Sequence, residues 1–169
     1  MAKKVLMITY DNYDDSEVLY PYYRLIEAGF EVDVASVEKR DMHGKYHFVI
    51  SANKLVSEID ENDYEGLVIP GGTAPEKLRQ FDGAVPLVDC FCKAKKPIAS
   101  ICHGQQLLFS AKALAGVHCT CYPGIKDDLI NAGGLYEDSP VVVDGNFVTS
   151  RRPQDLPYFM REFVKLLGK

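Results

Sequence analysis

The residues of this sequence best placed to do chemistry lie in the run Ala99-Ser100-Ile101-Cys102-His103-Gly104. An apolar, strand-like stretch from Pro97 to Ile101 leads into Cys102 and a helical pattern follows, which puts the thiol in a sharp strand-to-helix turn. Ser100 and Gly104, small residues two before and two after it, suit such a turn because strand and helix backbones crowd each other there. The spacing is that of G-x-S-x-G with sulfur as the nucleophile. Unpaired amides at a helix N-terminus favour thiolate, so Cys102 is expected to be more acidic than a free cysteine. The amide of His103, directly after it, is placed to donate to an oxyanion. The bland alternative is an inert buried thiol.

Two further turns follow strand-like runs. In Pro70-Gly71-Gly72-Thr73-Ala74-Pro75-Glu76 the paired glycines allow close backbone approach and present bare amides, which makes Gly72 the second expected oxyanion donor. A phosphate cradle is disfavoured, because neither Gly-Lys-Ser/Thr nor G-x-G-x-x-G is present; a turn without a ligand is the other alternative. In Asp11-Asn12-Tyr13-Asp14-Asp15 the carboxylates can be a capped helix start, with Asp15 or Ser16 as N-cap. That leaves Asp14 as a carboxylate able to approach Cys102 and to hold a proton beside a thiolate. Cys90/Cys92 and Cys119/Cys121, with His118, invite a zinc site, but structural zinc usually spaces its thiols by two to four residues, and residues two apart on a helix point to different sides. They are expected to be small apolar filler, and His43 and His47 surface residues.

These turns need a scaffold. Short apolar or β-branched runs at Val5 to Thr9, Val32 to Val37, Leu67 to Pro70, Pro97 to Ile101, Val141 to Val143 and Phe147 to Ser150 read as strands covered on both faces. Helical stripes separate them. Val18, Leu19, Tyr22, Leu25 and Ile26 share a face before Gly29, with Pro21 expected to bend the helix. Leu107 to Ala115 repeat the pattern before Gly116, and Leu156 to Leu167 give the clearest stripe. Asp82 is the expected cap of a helix carrying Val85, Val88, Phe91 and Cys92, and Asp41 to Ser57 is a small β excursion. Strands alternating with helices predict an α/β open, mostly parallel sheet with helices on both faces, whose ligands sit at the carboxyl ends of the strands.

The 169 residues suit a single domain over 1–169, with no linker or repeat. With 47% hydrophobic and 25% charged residues the chain has material for a core. Its net charge of −5 argues against nucleic acid or an anionic membrane as partner. No apolar run approaches a membrane span, Met1-Ala2-Lys3-Lys4 shows no sign of a cleaved or anchoring leader, and five unpatterned cysteines suit reduced thiols in the cytoplasm.

With these turns in hand the sequence resembles the PfpI family of intracellular cysteine hydrolases, in the superfamily of class I glutamine amidotransferase domains and the Parkinson-disease-associated deglycase. The likeness covers nearly the whole chain. It rests on the Cys102 and Gly71-Gly72 motifs, on Tyr20-Pro21-Tyr22 with Arg24-Leu25, on Tyr122-Pro123-Gly124-Ile125-Lys126-Asp127-Asp128, and on Ser150-Arg151 with Pro153 and Asp155-Leu156. It implies a flavodoxin-like fold, Cys102 as nucleophile, His103 as neighbour and base, and Asp14 as the carboxylate on the thiol, where the family usually has Glu. It also implies Gly71 and Tyr122 in the substrate pocket, and Glu76 reaching across a subunit contact to orient a neighbouring His103, hence a homodimer or a hexamer of dimers.

Such a site needs no metal and no organic cofactor. It suits a glyoxalase III or deglycase reaction on small carbonyl compounds, or attack on a peptide or amide. Amide cleavage is the harder of the two, since His103 is awkwardly adjacent to the thiol. Isocyanide hydration, and a redox-sensing or chaperone-like stress role in which Cys102 is oxidised, are the remaining alternatives.

Overall fold

The computed structural model describes residues 3–169; Met1 and Ala2, the first half of the Met1-Ala2-Lys3-Lys4 start, lie outside the described residues. The strands are β1 (Lys4–Ile8), β2 (Glu31–Ser36), β3 (Asp41–His43), β4 (Val49–Ser51), β5 (Lys54–Leu55), β6 (Gly66–Ile69), β7 (Ile98–Ile101), β8 (His118–Cys119), β9 (Leu135–Tyr136), β10 (Val141–Asp144) and β11 (Phe147–Ser150). The helices are α1 (Asp15–Glu27), α2 (Ala74–Leu78), α3 (Ala84–Lys93), α4 (Gln105–Ser110), α5 (Lys126–Asn131) and α6 (Leu156–Leu166).

Seven strands form one sheet in the order β10-β11-β7-β6-β1-β2-β5, parallel throughout except for the antiparallel edge strand β10. The sheet is mostly parallel, as the apolar runs predict, and its parallel core, β2-β1-β6-β7-β11, has the flavodoxin-like order that the resemblance implies. Alternate residues of each strand feed opposite layers. Val5 and Met7 pack with α1 and α6 through Val18, Leu25, Phe159 and Phe163. Leu6 and Ile8 pack with α3 and α4 through Val88, Phe91, Leu107 and Leu108. Burying each such side chain contributes roughly 1.5–3 kcal/mol, and a slip of one residue would exchange the faces, so register is fixed.

The β excursion is present as the β3–β4 hairpin, with Met42 opposite Ile50, and Lys54–Leu55 then adds β5 to the edge of the main sheet. Several helix ends differ from expectation. Gly83, in a left-handed conformation at φ +95°, precedes α3 with no side-chain cap, so Asp82 does not cap it. The helix after Cys102 stops at Ser110, because Lys112 at φ +53° turns the chain four residues before Gly116. Pro21 lies inside an α1 that runs without interruption from Asp15 to Glu27. Cys119 and Cys121 are buried filler, Cys92 is half-buried and Cys90 is exposed; among the described residues no three metal-ligating side chains come together. Also among the described residues, no helix is long and apolar enough to cross a membrane.

Candidate active site

Strand order reverses at β1 and β6: the chain passes from β1 to β2 on one side and returns to β6 on the other. Open sheets leave a crevice at the carboxyl ends of the strands at such a point. Three turns meet there, following β1, β6 and β7. An isolated bridge between Tyr13 and Gly72 ties the first two, and the Asp14 N–H donates to the Gly71 carbonyl at 3.4 Å.

Cys102 directly follows β7 with φ +64°, a left-handed conformation that a residue with a side chain rarely adopts. Its own N–H donates to the Ser150 carbonyl at 3.0 Å, and its carbonyl accepts from the Tyr122 N–H at 3.2 Å. These bonds hold the strained turn, and such strain persists only where the surroundings over-determine it. The small residues two before and two after Cys102 have a steric cause: a Cβ on Gly104 would press on the Ile69 carbonyl and on Ser100 Oγ. Gly71 and Gly72 are required for similar reasons. A Cβ on Gly71 would lie 2.5 Å from Glu17 Oε2 and 2.7 Å from Cys102 Cβ, and Gly72, at φ +77°, packs against the Asn12 carbonyl.

The acid against the thiol is Glu17. It is fully buried on α1, Oε2 accepts from the Gly71 N–H at 2.8 Å, Oε1 has no hydrogen-bond partner, and the carboxyl meets the Cys102 side chain. Burial, with the nearby Asp14 charge, pushes its pKa up to about 8, so it carries a proton at neutral pH. Asp14 does not take this place. Its Oδ1 caps α1, accepting from the Ser16 N–H at 3.2 Å, the Glu17 N–H at 3.4 Å and the Ser16 hydroxyl at 2.7 Å, and the residue lines the mouth of the cavity. Asp15 is not the cap either. Buried, it accepts from the N–H groups of Tyr46 at 2.8 Å and Phe48 at 2.7 Å, clasping the tip of the β3–β4 hairpin.

The Cys102 thiol is pushed up by burial and by the Glu17 charge, while the N–H groups of His103 and Gly72, both directed at the sulfur, pull it down. The expected acidification therefore does not dominate: α4 is one short helix beginning three residues on, and desolvation outweighs it. His103 Nδ1 lies 3.3 Å from Cys102 Sγ, so sequence adjacency does not prevent the two from sharing a proton. Burial holds the imidazole below its usual 6.5, leaving it neutral at pH 7. Its ring stacks on Tyr122 at 4.8 Å between centroids. Glu76 is exposed on α2, and its charge is felt by His103. Together with Lys45, Tyr46 and Arg152, the site encloses a cavity of about 380 Å³. The expected residues Cys102, His103, Gly71, Gly72 and Tyr122 are thus brought together, and Glu17, absent from the sequence expectations, is added.

The DJ-1/PfpI family matches residues 3–166. A deglycase from Pyrococcus abyssi is 48% identical over 164 residues, covering 97% of this chain and 99% of that protein. The deglycase PfpI from Pyrococcus furiosus is 46% identical with the same coverage. Among solved structures, a two-domain protein of Anabaena variabilis containing DJ-1/ThiJ/PfpI-like and ferritin-like domains superposes with TM-score 0.96 at 35% identity, over 98% of this chain and 48% of that one.

Proposed function

This chain belongs to the DJ-1/PfpI family, and on that premise we propose that it is a cysteine-dependent, cofactor-free enzyme acting on small carbonyl compounds, of glyoxalase III or deglycase type. The observation that carries the proposal is the placing of one sulfur between two backbone N–H groups, a neutral imidazole at 3.3 Å and a protonated buried acid. An aldehyde needs each of these. Cys102 Sγ adds to the aldehyde carbon of methylglyoxal as His103 Nδ1 takes the thiol proton. The carbonyl electron pair moves to oxygen, which the Gly72 and His103 N–H groups stabilise.

The hydrogen on that carbon then leaves as a proton, and the adjacent ketone carbon gains one, through an enediol. The first carbon is oxidised to a thioester and the second reduced to an alcohol, so no external oxidant or reductant is used. Glu17 and His103 are the groups able to move these protons. Water cleaves the thioester, releasing lactate and the free thiol. On an early glycation adduct, whose former aldehyde carbon is already saturated, Cys102 Sγ replaces the amine or thiol, which leaves with the proton His103 took from the thiol, and the same proton shifts and hydrolysis follow. Glu76, exposed and without a side-chain hydrogen bond in its own chain among the described residues, is assigned to orienting His103 of a second copy in a homo-oligomer.

Peptide cleavage is the second reading, favoured by the reach of His103 to the sulfur. The site is, however, a cavity of only about 380 Å³, which suits a small molecule better than an extended chain. The test is lactate production from methylglyoxal under reducing conditions by the wild type, Cys102→Ala and Glu17→Gln, with a peptide amide run in parallel. Wild-type turnover that Cys102→Ala abolishes and Glu17→Gln sharply lowers is expected. Turnover surviving Cys102→Ala removes covalent catalysis, and no turnover of either substrate leaves the redox-sensing role.

A further inference from the structure

Two cations at the cavity mouth have no part in the chemistry described above. Lys45 projects from the β3–β4 tip and Arg152 from the segment after β11, and both line the cavity that holds Cys102. The fold fixes their backbones: the Lys45 N–H donates to the Tyr13 carbonyl at 2.8 Å, and the Arg152 carbonyl accepts from the Asp155 N–H at 2.9 Å. Their side chains are left exposed, and among the described residues neither makes an ion pair. The contrast with the preceding residue is instructive, since Arg151 is fully engaged by Asp155 at 2.9 Å and Asp138 at 2.8 Å.

The acids nearby offset them only in part. Asp14 lines the same cavity but gives one carboxylate oxygen to the start of α1 as its cap, Asp15 is buried behind the hairpin, Glu17 is protonated at neutral pH, Glu76 stands on α2 outside the cavity lining although His103 feels its charge, and Asp138, which feels Arg152, is paired with Arg151. The charge of Lys45 reaches inward far enough to act on both Glu17 and His103. The chain carries a net charge of −5, so two cations without ion-pair partners at this opening favour an anion where substrate enters.

Building on the proposed carbonyl chemistry, we infer that Lys45 and Arg152 form an anion-recognising rim, and that the preferred substrate is a carbonyl compound whose non-reacting end bears a carboxylate or phosphate. Binding that remote group holds the electrophilic carbon over the sulfur.

A matched pair of alkylating agents tests this without requiring turnover. Iodoacetate and iodoacetamide both lose iodide to a thiolate and differ chiefly in charge. Their rates at Cys102 are read by peptide mass, with the exposed Cys90 as reference. The iodoacetate-to-iodoacetamide ratio is expected to be higher at Cys102 than at Cys90, and to fall about five- to tenfold in Lys45→Met and again in Arg152→Met. Lys45→Arg should restore it. Arg161→Met, which removes the same charge from the exposed side of α6, should leave it unchanged.

Protection of Cys102 from iodoacetamide by inorganic phosphate at constant ionic strength assigns the rim to phosphate, and protection by acetate assigns it to carboxylate. Equal ratios at the two thiols, equal ratios in wild type and variants, or protection by neither anion would each overturn the inference. A protein with the raised ratio but no carbonyl turnover keeps the rim and loses the proposed reaction; turnover without the raised ratio does the reverse.

Discussion

Replacing Glu17 by Gln should make the protein more stable, and increasingly so as pH rises. The amide keeps an acceptor for the Gly71 N–H and removes the buried group's ability to ionise. In the unfolded chain the carboxyl titrates near its usual 4.5, whereas burial and the Asp14 charge hold it at about 8 in the folded protein. Below pH 4.5 both states are protonated and Glu17 has no effect on stability. Between the two values the unfolded state sheds a proton that the folded state retains, so wild-type stability is lost with rising pH. Each pH unit costs about 1.4 kcal/mol, giving ~3 kcal/mol at pH 7 and about 5 kcal/mol above pH 8. That is a large part of the stability of an ordinary domain. Urea unfolding of both proteins at pH 5, 7 and 9 measures the difference directly. A constant offset reports packing alone, and a gap that does not widen between pH 5 and 9 would refute the claim that Glu17 is neutral against the thiol.

Three other perturbations probe the same site. The rate of carbonyl turnover should rise with pH through a limb below 6.5 as His103 becomes neutral and fall again near 8 as Glu17 loses its proton; Glu17→Gln should lack the upper limb, and a flat profile between pH 5 and 9 would contradict both assignments. Gly72→Ala places a Cβ against the Asn12 carbonyl at φ +77° and moves an oxyanion donor, so kcat should drop about 100-fold or more, and near-wild-type kcat would exclude that amide from the chemistry. Asp15→Ala unclasps the Tyr46 and Phe48 N–H groups, which should cost about 1.5–3 kcal/mol and speed hydrogen exchange at those two amides; unchanged exchange would show that the hairpin tip holds itself.

The parallel core was legible because its strands are buried on both faces: Val5 to Ile8 and Ile98 to Ile101 are almost wholly apolar, with fully buried side chains, and that pattern has few competing explanations. The Cys102 turn was legible because its steric demands select Ser100 and Gly104 in the immediate sequence. Glu17 was hidden by a local rule. Carboxylates at the start of a helix are ordinarily caps, and counting Asp14 and Asp15 against that expectation ended one turn too early. The usable signal was periodicity, since Glu17, Pro21 and Leu25 recur every four residues on the buried face of α1, and an acid on an apolar stripe is costly unless it is paired or neutral. Asp15 could not be assigned locally, because its partners lie 31 and 33 residues away. Asp82 and the Gly116 stop failed for a different reason: Gly83 and Lys112 adopt left-handed conformations that capping preferences do not anticipate.

The most direct test of the proposed chemistry is the mass of the peptide bearing Cys102 after acid quenching during methylglyoxal turnover. A covalent adduct of one methylglyoxal on Cys102 is expected, accumulating in the wild type and absent once substrate is exhausted. Lactate production with no adduct on that cysteine, or undiminished lactate production by Cys102→Ala, would contradict the account.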